Sequence, residues 1–219
     1  MRKQNRPPEP DILRENAAQW NADWARKVNV ENKKSGDFRW PQRDNQSVRD
    51  LILPTLQEMN QRHCSFCDAF PLLGQSLEPI EHFKPKLKFP EEAFSWSNLY
   101  YCCDHCNNSK KSDWNSSLLR PDAADYEFDM YFEFDHTTGQ MRPNQSSDAE
   151  AQTRACETIN AYDLDAKSRR DRRKLRLRVW QRSSGGNLDD ESDRDFLEAA
   201  SIEPDGVSKH ALGNVADTL

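Results

Sequence analysis

Two Cys-x2-Cys pairs set the strongest constraint on this chain. They read Cys64-Ser65-Phe66-Cys67 and Cys103-Asp104-His105-Cys106, with 35 residues between them. Thiolates at this spacing close a tetrahedral zinc site and leave no open coordination position. The intervening segment exceeds a zinc-ribbon loop, as expected if it carries an inserted functional hairpin. Cys102 stands beside Cys103, so two registers are open, and the Cys-x2-Cys spacing favours Cys103. His63 and His105 lie close by, but four cysteines leave them no vacancy.

The rest of the chain needs such a staple. Only 35% of its 219 residues are hydrophobic, which argues against a large dry core. Six Trp and ten Phe supply compact burial instead. No apolar run approaches the roughly 18 residues of a membrane span. The charged start, Met1-Arg2-Lys3-Gln4, has no apolar stretch after it, so no secretory signal is expected. Cysteines paired at metal spacing without a signal suit zinc in a reducing cytoplasm better than disulfides.

Net charge is −6, which opposes a nucleic-acid role at first sight. The charge is uneven, however. From Lys167 to Arg182 nine Lys or Arg face one acidic residue, Asp171. From Ser183 onward nine acidic residues face Arg194 and Lys209. A basic block beside an acidic tail suits nucleic-acid contact on one face. The plainer reading is a solvated helix and a disordered tail, and it is favoured for the tail. The low overall positive charge implies weak nucleic-acid binding by this chain alone.

Periodicity divides the chain into four parts. Residues 1–62 form an N-terminal arm and helices suited to partner docking. There Leu13, Ala17, Trp20, Trp24 and Val28 predict an amphipathic helix with Asp11 as N-cap. Residues 30–46 read as loop. Ser47-x-x-Asp50 resembles a capping box for a helix that Pro54 kinks or splits. Residues 63–115 form the cysteine-bracketed module, with strands at Leu77–Phe83 and Asn98–Cys102 and a helix at Asp104–Lys111. Residues 116–182 hold an aromatic run with a Thr138-Gly139 turn, a helix from Asp148, and the basic helix capped by Asp165 and ending near Trp180. Residues 183–219 form the acidic tail, with one short helix around Phe196 and Leu197. Cys156 is a lone cysteine on a predicted helix, expected to be buried packing.

Inside the module lie residues with the chemistry of a metal-dependent phosphodiesterase. Glu81 supplies an oxygen ligand for a hard divalent cation. His82 is a base that is largely neutral near pH 7. Asn98 would hydrogen-bond near the histidine and fix the ring or its loop. Asn107 offers a second oxygen to the cation held by Glu81. Lys84, Lys86 and Lys110 would meet phosphates. Each residue alone has a plain structural explanation, a surface pair for Glu81-His82 and local capping for the asparagines.

The pattern Glu81-His82-Phe83-x-Pro85-Lys86, then Trp96-x-Asn98-Leu99, then Cys103-x-x-Cys106-Asn107-x-x-Lys110 resembles the HNH endonuclease superfamily. The resemblance implies an α+β, mostly helical chain: a zinc-bound ββα-metal (HNH) core with flanking helices. It casts Glu81 as acidic metal ligand, His82 as general base, Asn98 as the residue that orients the base, and Asn107 as second ligand of Mg²⁺ or Mn²⁺. Many members carry histidine at the last position, where this chain has Asn107. Cys64, Cys67, Cys103 and Cys106 would hold a structural Zn²⁺.

A looser similarity covers more of the chain. Arg6-x-x-x-Pro10, the HNH core, and Ala155-x-x-x-Ile159-x-x-Tyr162-x-Leu164 followed by Arg170 resemble the HNH subunit of Septu anti-phage systems (PtuB-type), which also occurs as a retron-associated effector. That implies a nucleic-acid substrate, DNA or RNA, an ABC-type ATPase partner (PtuA-type), and a retron RNA/DNA-containing complex. Two other readings stand beside it. One is a non-catalytic zinc-ribbon adaptor that binds nucleic acid or protein. The other is an interaction subunit docking through the Trp20/Trp24 helix and the acidic tail.

Overall fold

The computed structural model describes residues 1–70, 72 and 79–184, with side chains to residue 177. The chain is helix-rich and mixed α/β, and its strands pair in small two-stranded sheets. It divides into two compact units that interleave in sequence. One comprises Gln4–Ser65 and Ala69–Ser116; the other comprises Met1–Lys3, Phe66–Asp68 and residues from Ser117 onward. Among the described residues no helix is long and apolar enough to cross a membrane.

The first unit opens with α1 (Asp11–Asn29). Pro10 occupies the N-cap position, and its carbonyl accepts from the Leu13 and Arg14 amides. Asp11 is therefore the first helical residue and not the cap; its carboxylate pairs with Arg14. Trp24, Ala93 and Phe94 form a buried cluster, with Ala17, Trp20, Val28, Phe38, Trp40 and Leu87 packed on it. The Trp20/Trp24 face, expected to meet a partner, packs on the chain's own 84–94 loop. The Trp24 indole N–H donates to the Lys86 carbonyl at 2.7 Å. Asn21 Oδ1 accepts from the Phe94 amide at 2.7 Å.

Residues 30–46 are more ordered than their polarity suggests. A 3-10 turn at Ser35–Asp37 precedes a small hairpin, β1 (Gln42–Arg43) with β2 (Gln46–Ser47). Helix α2 (Val48–Glu58) follows without a side-chain bond from Ser47, so the expected capping box is not formed. The helix also runs unbroken through Pro54. Val48, Ile52 and Leu56, at i, i+4 and i+8, are completely buried. That apolar stripe holds the helix together across the hydrogen bond that proline removes.

β3 (Ile80–His82) and β4 (Leu99–Tyr101) pair antiparallel, with Glu81 opposite Tyr100 and His82 opposite Leu99. α3 (Asp104–Lys110) follows at once, with Cys103 as its N-cap residue. The N-terminal arm braces this unit. The Arg6 guanidinium donates to the Trp96 and Leu99 carbonyls and lies over the Tyr100 ring.

In the second unit, a single helical turn, α4 (Phe128–Tyr131), leads into a hairpin, β5 (Phe132–Asp135) and β6 (Gln140–Pro143). Gly139 sits in its turn at φ +72°, and a Cβ there would lie 2.5 Å from the Arg170 carbonyl oxygen, so glycine is required. α5 (Ala149–Tyr162) starts as expected at Asp148, whose Oδ1 accepts from the Ala151 amide at 2.7 Å. Its inward face carries Ala151, Ala155, Ile159 and Tyr162. The Tyr162 ring stacks on Phe66 with centroids 3.9 Å apart. Cys156 is exposed, contrary to the buried position expected for it.

α6 (Lys167–Ser184) is the basic helix. Asp165 does not cap it: its carboxylate accepts from the Met141 amide and pairs with Arg170. Much of the helix charge serves the fold. Arg169 donates to the Tyr162 carbonyl, Arg173 to the Gly139 carbonyl, and Lys167 and Lys174 pair with Asp171. The expected helix around Phe196 and Leu197 lies outside the described residues.

Candidate metal centres

The sulfurs of Cys64, Cys67, Cys103 and Cys106 all lie within 4.8 Å of one another. The Cys64 and Cys106 sulfurs are 3.7 Å apart. Two thiolates on a tetrahedral zinc, each at about 2.3 Å, stand about 3.8 Å apart, so the spacing fits the ion. Backbone amides are aimed at the sulfurs. Cys103 N–H points to Cys64 Sγ at 3.3 Å, and Cys106 N–H to Cys103 Sγ at 3.4 Å. Such donors favour thiolate over thiol, the form a metal takes. None of the four is in a disulfide.

The cluster that could hold a metal contains Cys103 and not Cys102. Cys102 is fully buried at the end of β4, but its sulfur is not in the cluster. Successive residues on an extended segment point to opposite sides, so only one of the pair faces the other three sulfurs. His63, stacked on Phe70, and the exposed His105 contribute no ligand atom either.

The second group gathers where β3 meets α3. Glu81 is 2% exposed. Its Oε2 accepts from the Asn107 amide at 2.6 Å, and its Oε1 from the Lys110 ammonium at 2.7 Å. Lys110 also donates to the His82 carbonyl at 3.0 Å and is 0% exposed. Asn107 and Lys110 share a helix face because they are three residues apart. Burial pushes the Glu81 carboxyl above its ordinary range, while Lys110 and Asn107 pull it down. Asn107 faces the carboxylate with its Nδ2–H; with that side-chain amide turned to present Oδ1, carboxylate and amide oxygen would form a hard-donor set suited to Mg²⁺ or Mn²⁺.

His82 points to the other side of β3, as the alternation of a strand requires. It is 7% exposed. Its Nε2 lies 3.0 Å from the Ala93 carbonyl oxygen. A carbonyl only accepts, so Nε2 carries the hydrogen and Nδ1 keeps its lone pair. Trp40 stacks on the ring with centroids 5.9 Å apart, and Phe38 meets it edge-on at 5.2 Å. Burial, then the nearby charge of Lys86, lower its pKa to about 3, so the imidazole is neutral at pH 7.

Asn98 does not touch the imidazole. Its Oδ1 accepts from the Lys84 amide at 2.7 Å, and its Nδ2 donates to the Lys84 and Glu92 carbonyls at 3.0 and 2.9 Å. It ties together the two ends of the loop that carries Ala93. Among the three lysines assigned to phosphate, Lys110 is enclosed and paired with Glu81, because an ammonium beside a buried carboxylate is held there by its charge. Lys84 is half-buried and paired with Glu92 at 2.6 Å. The Lys86 ammonium lies over the Phe38 ring, 5.1 Å from its centroid.

Sequence reasoning missed Phe38, Trp40 and the Ala93 carbonyl. Two large aromatics within an otherwise polar stretch were the available signal for the first two. A backbone carbonyl leaves none.

Fold and site together define a helix-rich α/β chain. It carries a four-thiol cluster that can hold zinc and a buried carboxylate–amide–lysine group with a neutral histidine on the adjoining strand residue. No protein-family profile matches the chain. A stretch of it is 33% identical over 82 residues to the Septu protein PtuB of Bacillus mycoides, covering 32% of this chain and 26% of that relative. The chain thus matches about a quarter of that relative's length.

Proposed function

We propose that this chain is an HNH-type endonuclease that hydrolyses phosphodiester bonds of DNA or RNA as the effector of an anti-phage defence complex. The observation that carries the reading is the meeting of Glu81 and Asn107 at one carboxylate–amide contact, with His82 adjoining on β3 and the four thiols at the start of α3. The strand, loop, strand, helix order of this region supports the ββα-metal expectation. The similarity to a Septu PtuB protein supports the defence setting and, with it, an ABC-type ATPase partner. A retron-containing complex is part of the same proposal.

In this reading Zn²⁺ on the four cysteines is structural and holds the start of α3 in place. Glu81 and Asn107 would hold Mg²⁺ or Mn²⁺, which would supply charge neutralisation at the scissile phosphate. His82, fixed through Nε2 by Ala93, accepts a proton from water at Nδ1. A bound phosphodiester brings negative charge beside the imidazole, which opposes the effect of Lys86 and raises its basicity toward that task. Asn98 acts as a positioning residue through the loop. Products carry a 5′ phosphate and a 3′ hydroxyl.

The test is cleavage of plasmid, linear DNA and total RNA with Mg²⁺ or Mn²⁺, alone and with a co-expressed ATPase. Wild type is compared with His82→Ala. Cleavage lost in the variant at unchanged zinc content is the expected result. Equal cleavage by both removes His82 as the base. Absence of cleavage by either, with the partner present, favours a zinc-ribbon adaptor, which needs the cysteines but not Glu81, His82 or Asn107.

A further inference from the structure

Lys110 is the least expected occupant of the site. A lysine side chain is rarely enclosed, because its ammonium loses hydration that must be replaced. Here the replacement is specific. Two of its donors go to Glu81 Oε1 at 2.7 Å and the His82 carbonyl at 3.0 Å. The carboxylate assigned to a divalent cation is already neutralised by a monovalent one supplied by the chain.

The charges around this carboxylate can be counted. Glu81 and Lys110 form an ion pair of no net charge, and Asn107 adds none. A divalent ion entering this group meets no net negative charge. It must also share the Glu81 carboxylate with Lys110 and Asn107, which already hold one oxygen each. Sites that bind divalent cations tightly do so by carboxylate count, and this one offers a single, already paired carboxylate.

Resting on the nuclease reading above, we propose that Lys110 is a counter-ion that competes with the divalent metal for Glu81. The free chain therefore binds the metal weakly, and the phosphate of a nucleic-acid substrate is required to hold it tightly. The substrate supplies the negative charge that the protein withholds. Metal and nucleic acid bind with positive cooperativity, each raising the affinity of the other by the same factor. The arrangement keeps a hydrolytic site unloaded until a phosphodiester is in place. Lys110 is here a tuning residue and does not touch the reacting atoms.

The experiment is Mn²⁺ titration of the zinc-loaded full chain, followed by the loss of the free-Mn²⁺ paramagnetic signal. Lys110→Gln, which keeps a hydrogen-bond donor and removes the charge, is expected to bind Mn²⁺ at least tenfold more tightly than wild type. Lys110→Arg, which keeps the charge, is expected to stay near wild type. Unchanged or weaker Mn²⁺ binding by a zinc-replete Lys110→Gln overturns the proposal and leaves Lys110 as a structural clamp. Should Lys110→Gln fail to fold, the His82→Ala chain decides the matter. Its Mn²⁺ affinity should rise at least tenfold with a short oligonucleotide, after subtracting the oligonucleotide's own uptake. No rise overturns the proposal. Glu81→Gln in the same titration separates the two readings. Loss of Mn²⁺ binding supports the metal site itself, whereas binding equal to wild type overturns that site and this inference with it.

Discussion

Replacing Asn98 tests whether the middle residue of the motif acts on the histidine or on its loop. In the structure it makes three hydrogen bonds, all to backbone: from the Lys84 amide, and to the Lys84 and Glu92 carbonyls. Its side chain is shielded, at 2% residue exposure, so no water replaces them. At about 1 kcal/mol per bond, Asn98→Ala is expected to destabilise this unit by about 3 kcal/mol, and by more if the backbone groups stay unpaired. With a urea dependence of about 1–3 kcal/mol per molar, the midpoint shifts down by about 1–3 M. The assay is urea unfolding followed by tryptophan emission, because Trp24 and Trp96 belong to the same unit. Asn98→Asp sharpens the test. It keeps an acceptor for the Lys84 amide but sets a carboxylate oxygen against two carbonyls, so it should be no better than alanine. The loop also carries the Ala93 carbonyl that orients His82, so cleavage should fall in both variants. A loss below about 1 kcal/mol in Asn98→Ala, or an Asn98→Asp chain as stable as wild type, refutes the clamp.

Two further outcomes follow from the site. Cys103→Ser should lower the zinc content measured by elemental analysis and unfold the module, since structural zinc contributes about 10–16 kcal/mol in small zinc domains, while Cys102→Ser should keep its zinc. The depressed His82 pKa, about 3 against 6.5, gives stability a sign with pH. Above pH 6.5 the residue is neutral in both states and contributes no pH dependence. Below it the unfolded chain takes up a proton that the folded chain refuses, so stability falls from pH 6.5 down to about pH 3. At pH 5 this amounts to about 2 kcal/mol, and metal-free urea melts of His82→Phe should lack that part of the loss.

Much of the local structure was legible in the chain. Apolar spacing marked α1 and α5, Asp148 marked the start of α5, and Thr138-Gly139 marked the β5–β6 turn. The cysteine spacing named the four thiols that converge. These features are legible because they are short-range: periodicity, caps and turns act within a few residues. Local signals that the tertiary structure overrode are equally instructive. Pro54 did not break α2, because a fully buried stripe outweighed one lost hydrogen bond. Asp165 did not cap α6, because Arg170 and the Met141 amide took its carboxylate.

The candidate site divides in the same way. Residue types and spacing, together with the resemblance to HNH endonucleases, singled out Glu81, His82, Asn98 and Asn107 as candidates. Their partners were not marked in this way, since those come from elsewhere in the chain. Trp40 lies 42 positions from His82, the Ala93 carbonyl has no side chain to read, and Lys110 lies 29 positions from Glu81. The expectation that Lys110 would meet phosphate followed from its charge; its enclosure beside Glu81 followed from packing. A sequence shows which groups carry charge or lone pairs. Burial and long-range pairing determine which of those groups face each other, and through desolvation they set His82 neutral and join Lys110 to Glu81.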